Sequence, residues 1–358
     1  MGQDTGTGAG AGVDAHAYAG AVFDYYKKVH GRNAIDGAGG AMVSTAHFGV
    51  AYDNAFWDGT GMSYGDGGQL FRPLSAGLDV VAHEFTHGVT EKTSNLKYLN
   101  QSGALNESVS DIFGVFIEHS VKPDDVKNWK MGENIAKTAG GLRDFINPAA
   151  GDQPANMSAF VNTQQDEGGV HINSGIPNNA AFLMTMGGTN PISKTKVAFG
   201  IGWEKSEKLW YQANTKYFMV TTNFAQAAVG VMQAAKDVGL TENEQNIVDC
   251  AWKAVGIVKG ACATTIVDPK SVIPPTTPGT GTPGTGETDG TGTSNGSTDE
   301  TPTEEAETKP TTKKKRTTGL AQDSSGCNVS AQGKTDLGPL AGLLAAVVGL
   351  ALSRRKRK

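Results

Sequence analysis

Two histidines four residues apart, His83 and His87, are the side chains in this sequence best suited to metal chemistry. They enclose Glu84 in the pentapeptide His-Glu-Phe-Thr-His, and the flanking residues 78–92 contain no proline. On a helix, positions i and i+4 lie on one face, so both imidazoles can reach the same ion. The Glu84 carboxylate would then lie beside that ion, where it can take a proton from an attacking water. The alternative is an ordinary helix with two surface histidines.

A catalytic zinc site needs a third protein ligand and an open position. Glu107 and Asp111 lie one helical turn apart in the otherwise apolar segment 103–119, which has a helical pattern. We expect Glu107, at the start of this second helix, to be the third ligand. Asp111 then accepts the other ring N–H of a ligating histidine. The alternative is an amphipathic helix with solvated acids, but carboxylates on an apolar helix require a partner.

Periodicity and turn residues outline the elements that must position these side chains. Helices are predicted over 13–29, 78–92, 103–119, 203–220, 224–238 and 242–255, with another after Pro177. Thr241 and Glu244 have the spacing of a capping box at the start of the last helix. Residues 41–52 alternate as in a β-strand, whereas 53–70 and 122–170 have the composition of loops.

Composition separates a globular part from a C-terminal extension. The net charge of −5 over 358 residues argues against a nucleic-acid-binding protein. From 263 to 326 the chain is rich in Thr, Gly, Pro and Ser, which predicts a disordered linker. The apolar run 338–352 is followed by a basic cluster and is shorter than the roughly 20 residues that span a bilayer.

Five blocks of this sequence resemble the thermolysin family of zinc metallopeptidases. They read VDAHAYAG at 13–20, DNAFWDG at 53–59, DVVAHEFTHGVT at 79–90, SGALNESVSDIFG at 102–114 and GGVHINSG at 168–175. The resemblance covers about residues 13–256 and implies an α+β, zincin-like fold. In that fold, residues 1–94 are the remainder of a β-rich N-terminal peptidase domain that includes the active-site helix. Residues 95–262 form a helical C-terminal domain.

The resemblance also implies catalytic roles. His83, His87 and Glu107 would bind zinc, and Glu84 would pass a proton from water to the leaving amine. The donors that stabilise the oxyanion would be His171 and Tyr98, with Asp166 orienting His171.

Substrate contacts follow from the same resemblance. Arg143 matches the arginine that holds a substrate carbonyl, and Asn54 and Ala55 match the edge that pairs with the substrate backbone. Four apolar residues match the pocket for the side chain after the cut: Phe71, Leu74, Val80 and Leu142. We therefore expect a bulky apolar residue to be preferred on the C-terminal side of the cut.

A calcium site is implied by Asp79, Glu118 and Glu133, which match acidic ligands of the family. Asn128 and Lys130 stand where further acids would be expected. An ammonium group opposes cation binding, and calcium needs several oxygen ligands. We therefore expect one calcium rather than a pair, with a salt bridge of Lys130 in place of the second ion.

Both ends of the chain differ from simple secreted members of the family. The first match lies at residue 13, so the signal peptide, propeptide and much of the N-terminal β-rich portion are expected to precede this sequence. Residues 327–358 resemble a bacterial C-terminal sorting tag of the MYXO-CTERM type, with Cys327 as the processing site. The alternative is a plain membrane anchor.

The sequence therefore predicts a monomeric bacterial endopeptidase, secreted or attached to the cell surface, that acts on proteins and peptides and binds no nucleic acid. A bridge between Cys250 and Cys262 would suit an exported protein. Two alternatives remain open at this point. One is a surface-displayed binding protein on an inactive peptidase scaffold, and the other is a different zinc hydrolase, such as an aminopeptidase.

Overall fold

A computed structural model describes residues 9–125, 129–138 and 140–271. Its helices are α1 Ala9–His30, α2 Leu78–Glu91, α3 Asn100–Val121, α4 Asp166–Asn173, α5 Gly175–Met186, α6 Trp203–Gln212, α7 Phe224–Asp237 and α8 Glu242–Ala254. Its strands are β1 Ser44–Thr45, β2 Ala55–Trp57, β3 Met62–Tyr64, β4 Lys130–Met131, β5 Arg143–Asp144, β6 Gly188–Thr189 and β7 Lys196–Val197. The predicted α+β class, with few strands and a mainly helical second half, is confirmed.

Helices α2 and α3 form the centre of the described part of the chain. Residues 78–90 of α2 and 102–118 of α3 are buried without interruption. Both helices are apolar on several faces because other elements cover them on more than one side. Helix α1 packs on this pair: Tyr26 stacks on Phe113, and its hydroxyl lies 2.8 Å from Thr86 Oγ1. The site residues on α2 and α3 are therefore held inside a packed core.

Helix α3 starts earlier than the sequence pattern predicted. It begins at Asn100 rather than 103, so Glu107 lies two turns inside the helix and not at its start. The Ser102 hydroxyl donates to the carbonyl oxygens of Lys97 and Leu99, which stabilises the turn before the helix. A side-chain hydrogen bond of this kind leaves no trace in hydrophobic periodicity.

The strand prediction for 41–52 was largely wrong. The ladder there is limited to Ser44–Thr45, which pairs in parallel with Met62–Ser63. His47, Gly49 and Ala51 have φ values of 61°, 69° and 49°, and such residues interrupt an extended strand.

The predicted loop 53–70 contains β2 and β3, which pair antiparallel with Ala55 opposite Tyr64. Within the described residues, β2 lies at one edge of the β1–β3–β2 sheet. Trp57 Nε1 donates to Glu91 Oε2 at 2.7 Å and joins this edge strand to the end of α2.

The remaining helix predictions agree with the structure apart from their ends. The capping box at Thr241 and Glu244 is confirmed on α8. The predicted helix 203–220 was too long, because α6 ends at Gln212 and a single π-helical turn, Ala213–Tyr217, follows. Cys250 on α8 and Cys262 form a disulfide.

Several predictions lie outside the described residues: Asn128, residues 272–326 of the linker, and the whole tag 327–358 with Cys327 and the apolar run. Among the helices of the described part, none combines the length and the apolar character required to cross a membrane.

Candidate active site

Helices α2 and α3 bring three metal-binding side chains to one point. His83 Nε2 and His87 Nε2 lie 2.9 Å apart, one turn from each other on α2. The two carboxylate oxygens of Glu107 on α3 face them, at 3.6 Å from His83 Nε2 and 3.4 Å from His87 Nε2. All three side chains are buried. The structure thus brings together the three residues that the sequence predicted as ligands.

The outer ring nitrogens of both histidines face oxygen atoms of α3. His83 Nδ1 lies 2.8 Å from Asp111 Oδ1, and His87 Nδ1 lies 2.8 Å from Asn106 Oδ1. The Nδ1 proton of His87 can be donated to Asn106 Oδ1, which leaves its Nε2 lone pair facing the centre of the cluster. His83 Nδ1 is in close contact with the Asp111 carboxylate, and its Nε2 faces the same centre. Asp111 lies beside the outer nitrogen of His83, as the sequence predicted, and its role there stays a prediction. Asn106 was missed, although its place beside Glu107 and the second histidine's need for an outer partner could have indicated it.

The donor set fits zinc. Two imidazole nitrogens and one carboxylate are typical ligands of catalytic zinc, whereas calcium prefers oxygen atoms only. Two nitrogen lone pairs at 2.9 Å repel each other unless a cation or a proton lies between them. Burial would raise the pKa of Glu107, but His171, His87 and His83 hold that pKa well below its usual value. Glu107 is therefore held in its ionised form, the form in which a carboxylate binds a metal ion.

Glu84 follows the first histidine on α2 and is also buried. Burial raises the pKa of its carboxyl above the ordinary value, while the nearby His83 and His87 oppose that shift. A carboxyl whose pKa is moved toward neutrality is suited to accept and return a proton. Glu84 therefore lies next to His83 in a buried environment, and its role as general base stays a prediction.

His171 lies on α4, after a run of four residues with left-handed backbone. Asp166, Glu167, Gly168 and Gly169 have φ values of 54°, 48°, 86° and 78°. This turn brings the Asp166 carboxylate back onto His171, with Oδ1 2.5 Å from the ring Nδ1 and Oδ2 accepting the backbone N–H at 2.8 Å. One carboxylate therefore holds both the ring and the backbone N–H of His171.

Tyr98 connects this histidine to the cluster of ligands. Its hydroxyl donates to Glu107 Oε1 and lies 3.0 Å from His171 Nε2. His171 Nε2 is itself 3.4 Å from Glu107 Oε1. The two predicted oxyanion donors therefore lie together at the edge of the candidate zinc site. Gln153, a residue that sequence reasoning missed, donates to the carbonyl oxygen of His171 at 2.6 Å.

Arg143, on β5, bridges two carboxylates of α3. Its Nη1 donates to Asp111 Oδ1 at 2.8 Å, and its Nη2 donates to Glu107 Oε2 at 3.0 Å. Burial alone would lower the pKa of the guanidinium, but Asp111 and Glu107 raise it above its usual value. Arg143 is thus a permanent cation beside the ligands.

The predicted substrate-contacting residues occupy two places. Asn54 and Ala55 lie at the start of β2, the edge strand, and the carbonyl oxygen of Asn54 accepts a hydrogen bond from Gly65 at 3.0 Å. The four predicted pocket residues belong to one continuous apolar cluster: Phe71, Leu74, Val80 and Leu142. The first three are buried and Leu142 is partly exposed.

A second group of carboxylates lies at the other end of α2. Ligand oxygens of Asp79, Glu118 and Glu133 all lie within 4.8 Å of one another. Burial, followed by the charges of Glu118 and Glu133, raises the pKa of Asp79 well above its ordinary value. Lys122 Nζ contacts Glu118 Oε1 at 2.9 Å. Lys130, expected to form a salt bridge in place of a second ion, lies 3.6 Å from Asp144 Oδ2.

Two family models match the chain. One, the thermolysin metallopeptidase catalytic domain, matches residues 2–91, and the other, the thermolysin metallopeptidase alpha-helical domain, matches residues 94–257. The chain is 47% identical over 250 residues to a bacillolysin of Bacillus caldolyticus and to a thermolysin of Alicyclobacillus acidocaldarius. In both cases the match covers 68% of this chain and 45% of the relative. The chain therefore spans about half the length of these curated relatives.

A solved structure is also similar. The precursor of protealysin, a metalloproteinase from Serratia proteamaculans, superimposes with a TM-score of 0.61 at 33% sequence identity. The match covers 72% of this chain and 81% of that one.

Proposed function

This chain belongs to the thermolysin family of metallopeptidases, and from that premise we propose that it is a zinc-dependent endopeptidase cutting internal peptide bonds of proteins. The observation that carries the proposal is the convergence of His83, His87 and Glu107 beside Glu84 in a buried cluster. Zinc held by these three side chains would polarise the scissile carbonyl and the attacking water.

In this proposal Glu84 moves the proton. Its carboxylate accepts a proton from the water as the water attacks, and later returns it to the amine that leaves. Burial raises the pKa of this carboxyl above its ordinary value, which makes its protonated form easier to reach and favours the return of the proton to the amine.

His171 and Tyr98 stabilise the negative charge that develops on the carbonyl oxygen. The Tyr98 hydroxyl and the His171 ring are both donors, and their 3.0 Å separation lets them converge on one oxygen atom. Asp166, whose Oδ1 lies 2.5 Å from His171 Nδ1, orients the ring.

Arg143 holds the substrate backbone. Guanidinium has five N–H donors, and the contacts with Asp111 and Glu107 use only two. The remaining donors would bind a peptide carbonyl, while Asn54 and Ala55 on the edge strand pair with the substrate main chain.

A bulky apolar side chain is preferred after the cut, because Phe71, Leu74, Val80 and Leu142 offer only apolar surface. A peptide library digested with the enzyme and sequenced by mass spectrometry measures this preference. A profile dominated by acidic or small residues at that position would contradict it.

One calcium ion binds at the cluster of Asp79, Glu118 and Glu133, whose carboxylate oxygens lie close enough to share a cation. Calcium titration of thermal unfolding should then give a single saturable increase in melting temperature. Two separable increases would show that a second site exists.

The enzyme works outside the cytoplasm as a monomer, secreted or attached to the cell surface through its C-terminal tag. Support comes from the Cys250–Cys262 disulfide, since such bonds persist in oxidising compartments. Residues 1–94 and 95–262 are its two peptidase domains, and 263–326 its linker.

Casein hydrolysis and zinc content of the purified chain test the proposed activity, with Glu84→Gln as the control. We expect about one zinc per chain in both proteins and hydrolysis by the wild type alone. Peptides with a blocked N-terminus should still be cut, whereas an aminopeptidase would leave them intact. Zinc binding with no hydrolysis of either substrate would indicate an inactive scaffold.

A further inference from the structure

The carboxylate of Asp111 contacts two functional side chains through one oxygen atom. Its Oδ1 lies 2.8 Å from both His83 Nδ1 and Arg143 Nη1, so a single oxygen serves a zinc ligand and the substrate-binding arginine. The residue is completely buried. Rotation of this carboxylate would therefore disturb two functional side chains at once.

The other oxygen of Asp111 is held by an amide. Asn178 Nδ2, on α5, donates to Asp111 Oδ2 at 2.8 Å. Without that donor, a buried carboxylate oxygen would lose a hydrogen bond that no water can readily replace. The carboxylate would then gain by turning away from the geometry that serves His83 and Arg143.

The amide of Asn178 is itself oriented. Ser108 Oγ donates to Asn178 Oδ1 at 2.7 Å, which leaves the NH₂ group facing Asp111. Ser108 and Asp111 are three residues apart on α3 and therefore share one face of that helix. All three side chains are at most 1% exposed, so water does not compete for these hydrogen bonds.

We propose that Asn178 is a positioning residue for the zinc site, holding the Asp111 carboxylate so that it orients His83 and Arg143 together. The relay runs from Ser108 through Asn178 and Asp111 to the zinc ligand, and it joins α3, α5 and α2. The inference rests on the proposed zinc site, but its test measures metal binding rather than peptide hydrolysis.

The neighbouring Asn179 offers a matched control. It is equally buried, and its Nδ2 donates to the carbonyl oxygen of Phe145 at 2.8 Å. Its Oδ1 accepts from Asn190 Nδ2 at 2.8 Å. Asn178→Ala and Asn179→Ala thus remove the same group from the same helix, but only the first removes a contact to Asp111.

The test is zinc competition between the full chain and a chromogenic chelator, with thermal unfolding recorded for each variant. Replacing a residue that hydrogen-bonds to a zinc ligand commonly weakens zinc affinity about 10–100-fold. Asn178 contacts Asp111 and not a zinc ligand itself, so its effect should be smaller. We expect Asn178→Ala to weaken zinc affinity about 3–10-fold and Asn179→Ala to leave zinc affinity unchanged. Both variants should melt at lower temperature than the wild type.

Ser108→Ala keeps the experiment decisive if Asn178→Ala does not fold. This smaller change frees the amide of Asn178 to rotate, and it should weaken zinc affinity in the same direction by a smaller factor. In the Asn178→Ala background it should have no further effect. Equal zinc affinity for Asn178→Ala and Asn179→Ala, or wild-type affinity for Ser108→Ala, overturns the proposal. The endopeptidase proposal would survive that result, because casein hydrolysis tests it separately.

Discussion

At the scale of single residues, the candidate site consists of buried charges that neutralise one another. Glu107 faces His83, His87 and His171, and Arg143 closes the group from β5. Burying any one of these charges alone would cost considerable free energy. In the network, each charge has an opposite charge or a hydrogen-bond partner that offsets this cost. Removing one member should therefore affect its neighbours as well as its own function.

Tyr98→Phe should reduce kcat about 10-fold or more while leaving zinc content and KM nearly unchanged, because a donor to the oxyanion acts mainly in the transition state. Steady-state kinetics on a peptide substrate, with zinc measured by atomic absorption, provides the check. Tyr25→Phe is a suitable comparison, because Tyr25 is also buried and its hydroxyl donates to Glu207, outside the candidate site. A loss of zinc in Tyr98→Phe would assign the hydroxyl a structural role at Glu107.

His30 should make the fold sensitive to mild acid. Its ring stacks on Tyr211 at 4.1 Å, its Nε2 is shielded from water, and burial lowers its pKa to about 3. The unfolded chain binds a proton near pH 6.5 and the folded chain does not. The free energy of unfolding should therefore fall as the pH drops from about 6.5 toward 3, by up to about 1.4 kcal/mol per pH unit.

His30→Phe keeps an aromatic ring in the stack and removes the proton site. Urea unfolding at pH 7 and pH 5 should show a smaller difference for this variant than for the wild type. An identical difference in the two proteins would rule out His30 as a source of acid sensitivity.

At the scale of elements, the position of His171 depends on a strained turn. Asp166 and Glu167 both have left-handed backbone, which costs roughly 1–2 kcal/mol for a residue with a Cβ atom. Gly168 and Gly169 take the same conformation without that cost. The turn persists because the Asp166 carboxylate binds the backbone and the ring of His171.

Glu167→Gly should stabilise the protein by up to about 1 kcal/mol, since the relief of strain exceeds the entropy that glycine gains in the unfolded chain. Glu167→Val should destabilise the protein by about 1 kcal/mol or more, because a β-branched residue disfavours left-handed backbone. Melting temperatures of the two variants test the argument. A higher melting temperature for valine than for glycine would contradict it.

At the scale of the whole molecule, one covalent bond joins the last described segment to the helical part. Cys250 is fully buried on α8, and the bridge to Cys262 closes a loop across 12 residues. A crosslink that closes a loop of this size lowers the entropy of the unfolded chain, which raises the free energy of unfolding by roughly 3 kcal/mol.

The double variant Cys250→Ala/Cys262→Ser should therefore unfold at a lower urea concentration, with a loss of about 2–3 kcal/mol in the free energy of unfolding. Zinc content should stay the same, because neither residue contacts the donor cluster among the described interactions. Wild-type protein treated with reductant should behave like the variant. If the variant and the reduced wild type both unfold at the urea concentration of the oxidised wild type, the disulfide adds nothing to stability.

The sequence alone was sufficient to predict the residues of the candidate metal cluster, because helical spacing is a local property. His83 and His87 on α2 share one helix face, and so do Glu107 and Asp111 on α3. The sequence also determined most of the helices, whose periodicity and capping residues are local. The resemblance to a known family added Tyr98, Arg143, Asp166 and His171 from its motifs.

Tertiary structure decided what depends on contacts between distant segments. Asn106, Gln153 and Asn178 look like ordinary polar residues in the sequence, and only packing shows that they hold His87, His171 and Asp111. The failed strand over 41–52 has the same origin. Alternating side chains predict an extended segment only where another strand pairs with it, and three left-handed residues interrupt the regular ladder after Thr45.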